Sequence, residues 1–458
     1  MPERPTPPGG GAGGLSARLG ALRNSDLAKA GGLAVATIVG NVVALAATVV
    51  FARLLDDYGS LAALLAYVLI LSVIGQALQV ATAREAVLGT LGTGPALAAT
   101  VRSWTRTLIV ATVAIGLVSA LLRAPIAAAV GVDQEWAAAC GAPAGVLWLL
   151  LAILRGALQG VGDYRAVGIS LVAEQSARLL FGAALAGAGL DVTGAFLGTP
   201  LAMAAVALWC WLVLRRRLLP AGGPPPAEAP ALRLRDHVAG AWAPIAGLVI
   251  VAVLQNIDVI GAKHRFDDDL ASSYGATTVA AKVLIWVAIG VGFYLVPEAS
   301  RRAAAREETR GVLVRSLALV LVCAVPALAI FALAPRLLLR LAFGADRLLA
   351  VDALLPLGVA FTLLALTYLA IQYLLALRAV WFLLPLAAVA ALEPIVLLAA
   401  APGDPSGFAA VVLGVQALAC AVALTLAFSR PRAGARRRPA APRPAPPLRA
   451  GGGSRPRG

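Results

Sequence analysis

The sequence predicts an all-α membrane protein that crosses the bilayer twelve times, in two lobes of six helices each. Of its 458 residues, 60% are hydrophobic and only 13% are charged, whereas a soluble domain carries about a quarter charged residues. Apolar runs of roughly 20 residues recur along the chain, and each is long enough to cross a hydrocarbon core about 30 Å thick. A proline- and glycine-rich segment, LLPAGGPPPAEAPALRLRD, lies near the middle and divides the runs into two sets.

The apolar runs fill two long segments of the chain, each expected to form one lobe. The first lobe, residues 28–214, has predicted spans at about 28–52, 61–81, 107–122, 137–154, 167–189 and 193–214. The second lobe, residues 241–428, has predicted spans at about 241–262, 273–296, 312–334, 354–377, 379–401 and 406–428. Residues 215–240 form a predicted cytosolic linker, flexible or extended because of its proline and glycine content. The ends, residues 1–27 and 429–458, are predicted to be disordered cytosolic tails.

The basic residues gather on one side of the predicted spans, which sets the expected orientation. Both tails, the linker and the even-numbered connections hold most of the arginines, and the other connections hold few. The positive-inside rule therefore predicts a multi-pass protein of the cytoplasmic membrane with both termini in the cytosol. The basic tail, RPRAGARRRPAAPRPAPPLR, is expected to contact anionic lipid headgroups. The net charge of +15 is thereby explained without a nucleic-acid partner.

Motifs for metal, disulfide or nucleotide chemistry are not apparent in the sequence. The four cysteines lie far apart inside apolar runs and are expected to be packing residues. The two histidines make no ligand cluster, and no lysine follows a glycine, so a Walker A motif is absent. We therefore expect no cofactor, no metal site and no enzymatic activity, with transport energy coming from an ion, potential or cargo gradient.

The ends of the first and seventh spans carry a similar pattern of residues. FARLLDDYGSLAALLAYV and GAKHRFDDDLASSYGATTVAAKV both run from an apolar helix through a base and acids to Tyr-Gly and another apolar helix. Six spans separate the two copies, so both face the same side of the membrane. This arrangement predicts a parallel repeat, in which two lobes are related by an axis along the membrane normal with a site between them.

Three stretches of the chain resemble the polysaccharide exporters of the multidrug/oligosaccharidyl-lipid/polysaccharide (MOP) superfamily. They are GNVVALAATVVFARLLDDYGSLAALLAYVLILSV, LQGVGDYRAVGISLVAEQSARLL and QNIDVIGAKHRFDDDLASSYGATTVAAKVLIWVAIGVGFYLVPEASRR. Members of that family often show a base, Leu and Asp/Glu-Tyr-Gly after the first span, Asn-x-Asp in the seventh and Pro-Glu-x-x-Arg after the eighth. The matching positions here are residues 53–59, Asn256 and Asp258, and Pro297, Glu298 and Arg301.

The resemblance covers about residues 25–428 and implies both a fold and a function. It implies a V-shaped pair of six-helix bundles that work by alternating access. It also implies a polyprenyl-pyrophosphate-linked sugar as cargo, within cell-envelope polysaccharide biosynthesis. Lipid II flippases usually have two further helices and a more cationic central cavity, so these two departures point away from lipid II itself.

Five charged residues lie inside the predicted spans, where each costs about 2.5–3.5 kcal/mol at the bilayer centre. They are expected to face a water-filled cleft or one another. Glu174 and Arg178 are spaced i, i+4 and can pair on one helix face. We expect Arg178 to contact the cargo pyrophosphate, because a guanidinium binds phosphate oxygens in a bidentate manner, and Glu174 to orient it. The alternative is a purely structural ion pair.

The remaining charges lie in the second lobe. Lys282 in the eighth span is a second candidate for cargo binding. Asp258 with Asn256 in the seventh span could bind Na⁺ or carry a proton, or Asp258 could instead form a structural bridge with Lys282. Glu393 precedes Pro394, which bends its helix, so this carboxylate suits either an ion site or a simple kink.

Two uncharged residues of the second span, Gln76 and Gln79, complete the set of candidate site residues. Their amides are expected either to contact sugar hydroxyls in the cleft or to form interhelical hydrogen bonds.

Three other functions are compatible with parts of the sequence. A multidrug or organic-cation extruder of the same fold would favour an acidic, aromatic cleft. A polyprenyl-dependent membrane glycosyltransferase could use Asp267 and Asp269 of FDDDL to hold a divalent metal, although such enzymes usually have larger external domains. A third alternative is a lipid scramblase or scaffold without energy coupling.

Overall fold

Helices make up the membrane part of the chain. The computed structural model describes residues 26–218 and 232–429, and over these ranges it contains helices and turns but no β-strand. The predicted tails and the remainder of the linker lie outside the described residues. The all-α fold class is therefore confirmed for the part of the chain that the structure describes.

The first half contains six long helices and one short helix. In chain order they are α1 (Asp26–Leu54), α2 (Tyr58–Val87), α3 (Pro95–Leu121), the short α4 (Arg123–Val130), α5 (Glu135–Gly160), α6 (Tyr164–Leu185) and α7 (Asp191–Leu218).

The second half repeats this order after a linker helix. It contains the linker helix α8 (Leu234–Gly240), then α9 (Trp242–Arg265), α10 (Asp268–Ala281), α11 (Val283–Ala304), α12 (Arg310–Leu333), the short α13 (Pro335–Phe343), α14 (Leu354–Ala376), α15 (Leu383–Ala400) and α16 (Pro405–Phe428). Helices α10 and α11 form one long rod that is interrupted only at Lys282. A short helix thus follows the third span in both halves, in agreement with the repeat that the sequence predicts.

The number of membrane crossings agrees with the prediction. Eleven helical stretches are long and apolar enough to cross a membrane, and one of them, Tyr164–Leu218, contains both α6 and α7. The chain turns between these two helices at Gly189, whose φ of 92° is in the left-handed region that favours glycine. The chain is therefore a multi-pass membrane protein with twelve long spans.

The predicted spans coincide with the helices, although several helices extend up to eight residues beyond the predicted ends, and the third span differs most. The third span was expected at 107–122, but α3 begins at Pro95. Arg102 and Arg106 lie in this added helical segment and are half-buried and exposed, respectively. Hydropathy alone underestimates the length of such a helix, because its first turns carry charged residues and are not counted as part of the apolar span.

Within the first half, small residues allow close contact between α2 and α5. A Cβ atom at Gly156 would lie 2.6 Å from the backbone oxygen of Gln79, and one at Gly160 would lie 2.3 Å from the Cβ of Ala86. Small residues permit this kind of close helix approach in membranes, where packing and not water exclusion drives association. A larger side chain at either glycine would separate the two helices.

The last part of the linker is folded and not extended as expected. Helix α8 packs on the first half through His237, whose ring is buried. Its Nδ1 lies 2.7 Å from a carboxylate oxygen of Glu85, and its Nε2 lies 2.9 Å from the hydroxyl of Thr82. The ring stacks on Trp104 at 4.7 Å, and the Trp104 indole donates to the Leu232 carbonyl at 2.9 Å.

This contact ties the start of the second half to the first half. Helix α9 begins two residues after α8 ends, so the position of α8 fixes where the seventh span starts on the linker side of the membrane. The proline and glycine content of the linker did not predict helix α8, because composition gives no information on the buried contacts of the histidine.

We predict that His237→Ala releases α8 from the first half. Two hydrogen bonds and one ring stack are lost, about 2 kcal/mol in total, which corresponds to roughly a 30-fold change in the opening equilibrium. Amide hydrogen exchange in residues 234–240 should accelerate by about that factor. Arg235→Ala is the matched control, since that side chain is exposed and its removal should leave the exchange rate unchanged.

Candidate transport site

The buried charged residues inside the spans lie in two clusters, one in each half. The N-half cluster comprises Arg155, Ser170, Glu174 and Arg178. The C-half cluster comprises Asn256, Asp258, Tyr274, Thr278, Lys282, Glu393 and Gln416. Both clusters are enclosed by neighbouring helices, as expected for groups that hydrocarbon does not solvate.

The N-half cluster centres on the carboxylate of Glu174, which is buried. Arg178 donates to its Oε1 at 3.0 Å, as the i, i+4 spacing predicts. Arg155 of α5 donates to its Oε2, also at 3.0 Å. Arg155 is further fixed by Ser170, whose hydroxyl and carbonyl oxygens accept at 2.9 and 2.8 Å.

Arg155 was expected in a loop, because the predicted fourth span ends at residue 154, and this expectation was wrong. It lies inside α5 and is almost completely buried, with its guanidinium 5.9 Å from the Trp148 ring. The apolar residues that continue through Leu158 could have indicated this, because they place Arg155 one turn before the end of the run.

The N-half cluster carries one more positive than negative charge. Two guanidinium groups share one carboxylate, so the cluster has a net charge of +1. Arg155 is enclosed, while the Arg178 side chain is 19% exposed. The Nε of Arg178 and the Oε1 of the adjacent Gln175 are buried and lack a hydrogen-bond partner among the described residues. Arg178 therefore combines a partly exposed side chain with a buried donor that Glu174 leaves unused.

The C-half cluster has a different arrangement from the predicted bridge. The Lys282 ammonium donates to the Asn256 amide oxygen at 3.2 Å and lies 5.5 Å from the Phe361 ring. The Asp258 carboxylate instead accepts weak contacts at 3.5 Å from the hydroxyls of Tyr274 and Thr278. A direct Asp258–Lys282 ion pair is therefore not formed among the described residues, because the ammonium contacts the amide of Asn256, two positions before Asp258 on α9.

Glu393 extends the C-half cluster to two further helices. Gln416 of α16 donates to Glu393 Oε1 at 3.3 Å and to the Leu254 carbonyl of α9 at 2.7 Å. Three buried oxygens lack a partner among the described residues: Asp258 Oδ1, Glu393 Oε2 and Gln416 Oε1. Buried acceptors without donors favour a bound cation or a proton over an empty site.

The two glutamines of α2 have no place in either cluster. Gln76 is exposed and Gln79 is half-buried, and in the described ranges neither side chain hydrogen-bonds with a cluster residue. Their assignment to cargo contact stays a prediction.

The two copies of the repeated pattern meet on the far side of the membrane, opposite the linker. Lys263 of the second copy donates to Asp57 of the first at 2.8 Å and also bonds Asp268. The backbone N–H of Gly59 donates to the Ser272 hydroxyl at 2.8 Å. We call this contact the far-side junction. The sequence predicts the repeat but not that its copies touch.

Two arginines, one from each half, strengthen the far-side junction. Arg347, which is buried, donates to the carbonyls of Ala52, Leu55 and Asp56 at 2.6–3.1 Å. Arg53 of the first half donates to the carbonyls of Leu341 and Ala342 of α13. Each arginine satisfies carbonyls at a helix end that have no intrahelical partner.

Asp57 stays ionised in the far-side junction at mildly acidic pH. Burial opposes its charge, but hydrogen bonds from Lys263 and Ser60 outweigh that effect and lower the pKa of Asp57 below its ordinary value of 3.8. A depressed carboxyl pKa contributes stability above the ordinary pKa, and this contribution is lost as pH falls through the lowered one. The junction is therefore not a switch near neutral pH.

The aspartates of FDDDL serve structural purposes. Asp267 accepts from the Leu270 N–H at 2.9 Å and caps α10, and Asp268 pairs with Lys263. Across residues 26–218 and 232–429, no group of three His, Cys, Asp or Glu side chains could hold a metal ion. The four cysteines are free.

Comparison with solved structures assigns the fold. The chain is similar to "Lipid II flippase MurJ, inward closed conformation" with a TM-score of 0.67 at 13% identity, covering 86% of this chain and 87% of that chain. It is also similar to an inward-facing multidrug resistance MATE family transporter of the MOP superfamily, with a TM-score of 0.66 at 12% identity, covering 85% and 93%. An outward-facing structure of such a transporter gives 0.54 at 13% identity, covering 86% and 94%.

These similarities confirm the predicted resemblance at the level of the fold. The described residues share the fold of these solved transporter structures. No family model matches the sequence, and no curated protein matches it. The low identity means that cargo and mechanism depend on the residues of this chain.

We predict that Arg155→Ala lowers the stability of the first half. Removing one partner of a buried ion pair typically costs about 3–5 kcal/mol, although Arg178 still compensates Glu174 in part. A clear fall in the unfolding temperature of the purified protein is the expected result. Arg165→Ala is the matched control, because that arginine is exposed, and an equal loss in both variants would contradict a special role for Arg155.

Proposed function

We propose that this protein flips or exports lipid-linked oligosaccharide or polysaccharide precursors across the cytoplasmic membrane by alternating access. The observation that carries the proposal is the net positive N-half cluster, in which Arg178 is partly exposed and has an unused donor. A polyprenyl-pyrophosphate-linked sugar brings the complementary anion. The arginine-rich linker side is then the cytosolic side, with both termini in the cytosol.

The cluster suits a pyrophosphate for reasons of charge and geometry. Arg155 neutralises Glu174 from one side, so the charge of Arg178 is not cancelled by its own partner. Glu174 accepts a hydrogen bond from one guanidinium nitrogen of Arg178, and the other nitrogens of this planar group remain for phosphate oxygens. Binding such an anion would offset part of the cost of a cation at membrane depth. The fold similarity to a lipid II flippase supports an amphiphilic cargo.

The far-side junction supports a conformational cycle between the halves. Ion pairs and backbone contacts join the two halves on the side opposite the linker. The TM-scores are higher against inward conformations than against the outward one, which supports a state closed on the far side. Release of cargo there requires these contacts to break, and their reformation returns the site to the linker side.

The C-half cluster is proposed to couple transport to H⁺ or Na⁺. Asp258 and Glu393 carry two potential negative charges against the single ammonium of Lys282. A proton or a monovalent cation would neutralise the remaining charge and use the oxygens without partners. Asn256 then positions Lys282, which belongs to this cluster and not to the N-half cluster.

A multidrug or organic-cation extruder is the second candidate function. It is favoured by the two buried carboxylates of the C-half cluster and by the fold similarity to multidrug transporters. The two functions differ in the charge of the cargo, so the N-half cluster discriminates between them. A cluster with net positive charge favours an anion.

We predict that Arg178→Ala strongly slows transport of an anionic lipid while the protein still reaches the membrane. The measurement is translocation of a fluorescent polyprenyl-pyrophosphate-linked sugar in liposomes that contain the purified variant. The expected rate is at least about tenfold lower, the size of one charge-assisted contact, and Arg178→Lys should recover part of it. Full transport by Arg178→Ala at normal abundance would refute the role of Arg178 in binding.

We predict that Asp258→Asn removes the response of transport to the coupling ion. In the same liposomes, the rate for the unmodified protein should change with an imposed pH or Na⁺ gradient, and the rate for Asp258→Asn should not. Asp269→Asn is the matched control, because that carboxylate is exposed on the far side. An ion response preserved in Asp258→Asn would exclude this residue from coupling.

A further inference from the structure

A cavity opens at the linker-side ends of three helices in the first half. It has a volume of about 470 Å³ and is lined by Ala83, Arg84, Val87, Leu88, Gln159 and Tyr164. These residues come from the last turn of α2, the last turn of α5 and the first residue of α6. The cavity lies apart from both polar clusters, at the level where a membrane span meets the headgroups.

The base of the cavity is fixed by close helix packing. Gly160 of α5 leaves no room for a Cβ against Ala86 of α2, so the ends of these two helices are held together. Asp163 caps α6 by accepting from the Ala166 N–H at 3.1 Å, which fixes the first turn that carries Tyr164. The cavity is therefore built from ordered backbone and not from a loop.

Arg84 brings an uncompensated positive charge to the cavity. Its guanidinium makes no hydrogen bond or ion pair with the described residues, and the side chain is exposed. The adjacent acid, Glu85, is engaged by His237 at 2.7 Å. Asp163, the other nearby acid, is paired with Arg217 at 3.1 Å. Both carboxylates thus pair with other residues and not with Arg84, so the charge of Arg84 is available to a ligand.

The rest of the lining combines polar and apolar groups. The Tyr164 hydroxyl and the Gln159 amide can donate hydrogen bonds to an anion beside Arg84. Val87 and Leu88 are 67% and 63% exposed, so they offer apolar surface next to the polar groups. A ligand that matches this lining has a phosphate and a hydrocarbon chain that leaves it toward the bilayer.

We propose that this cavity binds the phosphate of an anionic phospholipid from the leaflet on the linker side. The guanidinium of Arg84 contacts the phosphate oxygens, Tyr164 and Gln159 complete the contact, and an acyl chain lies on Val87 and Leu88. The positive surface potential of this side supports the choice, since Arg165 and Arg217 lie at the same helix ends. The lipid is a resident ligand and not the cargo, so the inference is independent of the proposed transport function.

The test is lipid retention by the purified full chain, measured by native mass spectrometry. The protein is delipidated and then offered phosphatidylglycerol and phosphatidylcholine with identical acyl chains. The unmodified protein should retain phosphatidylglycerol preferentially. Arg84→Gln should lower that retention about five- to tenfold, and Tyr164→Phe should lower it about twofold, with unchanged unfolding temperatures.

The matched control is Arg165→Gln, which removes an exposed arginine one residue from Tyr164 but outside the cavity. It should retain phosphatidylglycerol like the unmodified protein. An equal loss in Arg84→Gln and Arg165→Gln would overturn the proposal in favour of diffuse electrostatic attraction. A polyprenyl phosphate that displaces phosphatidylglycerol completely at equal concentration would also overturn it, because the cavity would then belong to the cargo pathway.

Discussion

Ionised side chains inside a bilayer must be compensated by protein or by water, and this constraint organises the whole molecule. A single charge at the centre costs about 2.5–3.5 kcal/mol by insertion measurements, so the chain encloses each one between helices. Glu174 accepts hydrogen bonds from two arginines, and Asp258, Lys282 and Glu393 contact amides and hydroxyls of three helices, α9, α10 and α16. In neither cluster do the charges cancel within the protein. The N-half cluster has a positive excess and the C-half cluster has more carboxylates than ammonium groups. This opposite imbalance is the chemical basis for our proposal of an anionic cargo and a coupling cation.

The contacts that join the two halves differ between the two sides of the membrane. On the far side the contacts are ion pairs and carbonyl caps, including Lys263 with Asp57 and Arg347 with the end of α1. On the linker side, α8 is fixed to the first half by a buried histidine between Glu85, Thr82 and Trp104. The far-side contacts are polar but largely enclosed, since Arg347 is buried and the Lys263 side chain is only 6% exposed. The halves can therefore separate on the far side only if these groups exchange their partners for water, while α8 keeps the start of α9 near the first half.

Much of the fold could be predicted from the sequence, and the reasons are local. Runs of apolar residues located all twelve spans, and the i, i+4 spacing of Glu174 and Arg178 predicted their contact. Two features depended on positions far apart in the chain and could not be predicted: Lys282 contacts Asn256 and not Asp258, and the copies of the repeated pattern pack against each other. Arg155 was assigned to a loop for a local reason, because it lies near the end of its apolar run. Sequence similarity between two repeats indicates a shared fold, but it does not indicate which of their surfaces meet.

We propose that cargo crosses the membrane only when the far-side junction opens. Ala62 and Gly275 face each other across it, since a Cβ at Gly275 would lie 3.1 Å from the Cβ of Ala62, and a shift of about half an ångström would bring the two atoms into the disulfide range. Ala62→Cys with Gly275→Cys, in a protein whose four native cysteines are replaced, should form a crosslink on oxidation. We expect translocation of the polyprenyl-pyrophosphate probe in liposomes to stop after oxidation and to return after reduction. Undiminished translocation by the fully crosslinked protein would contradict the account.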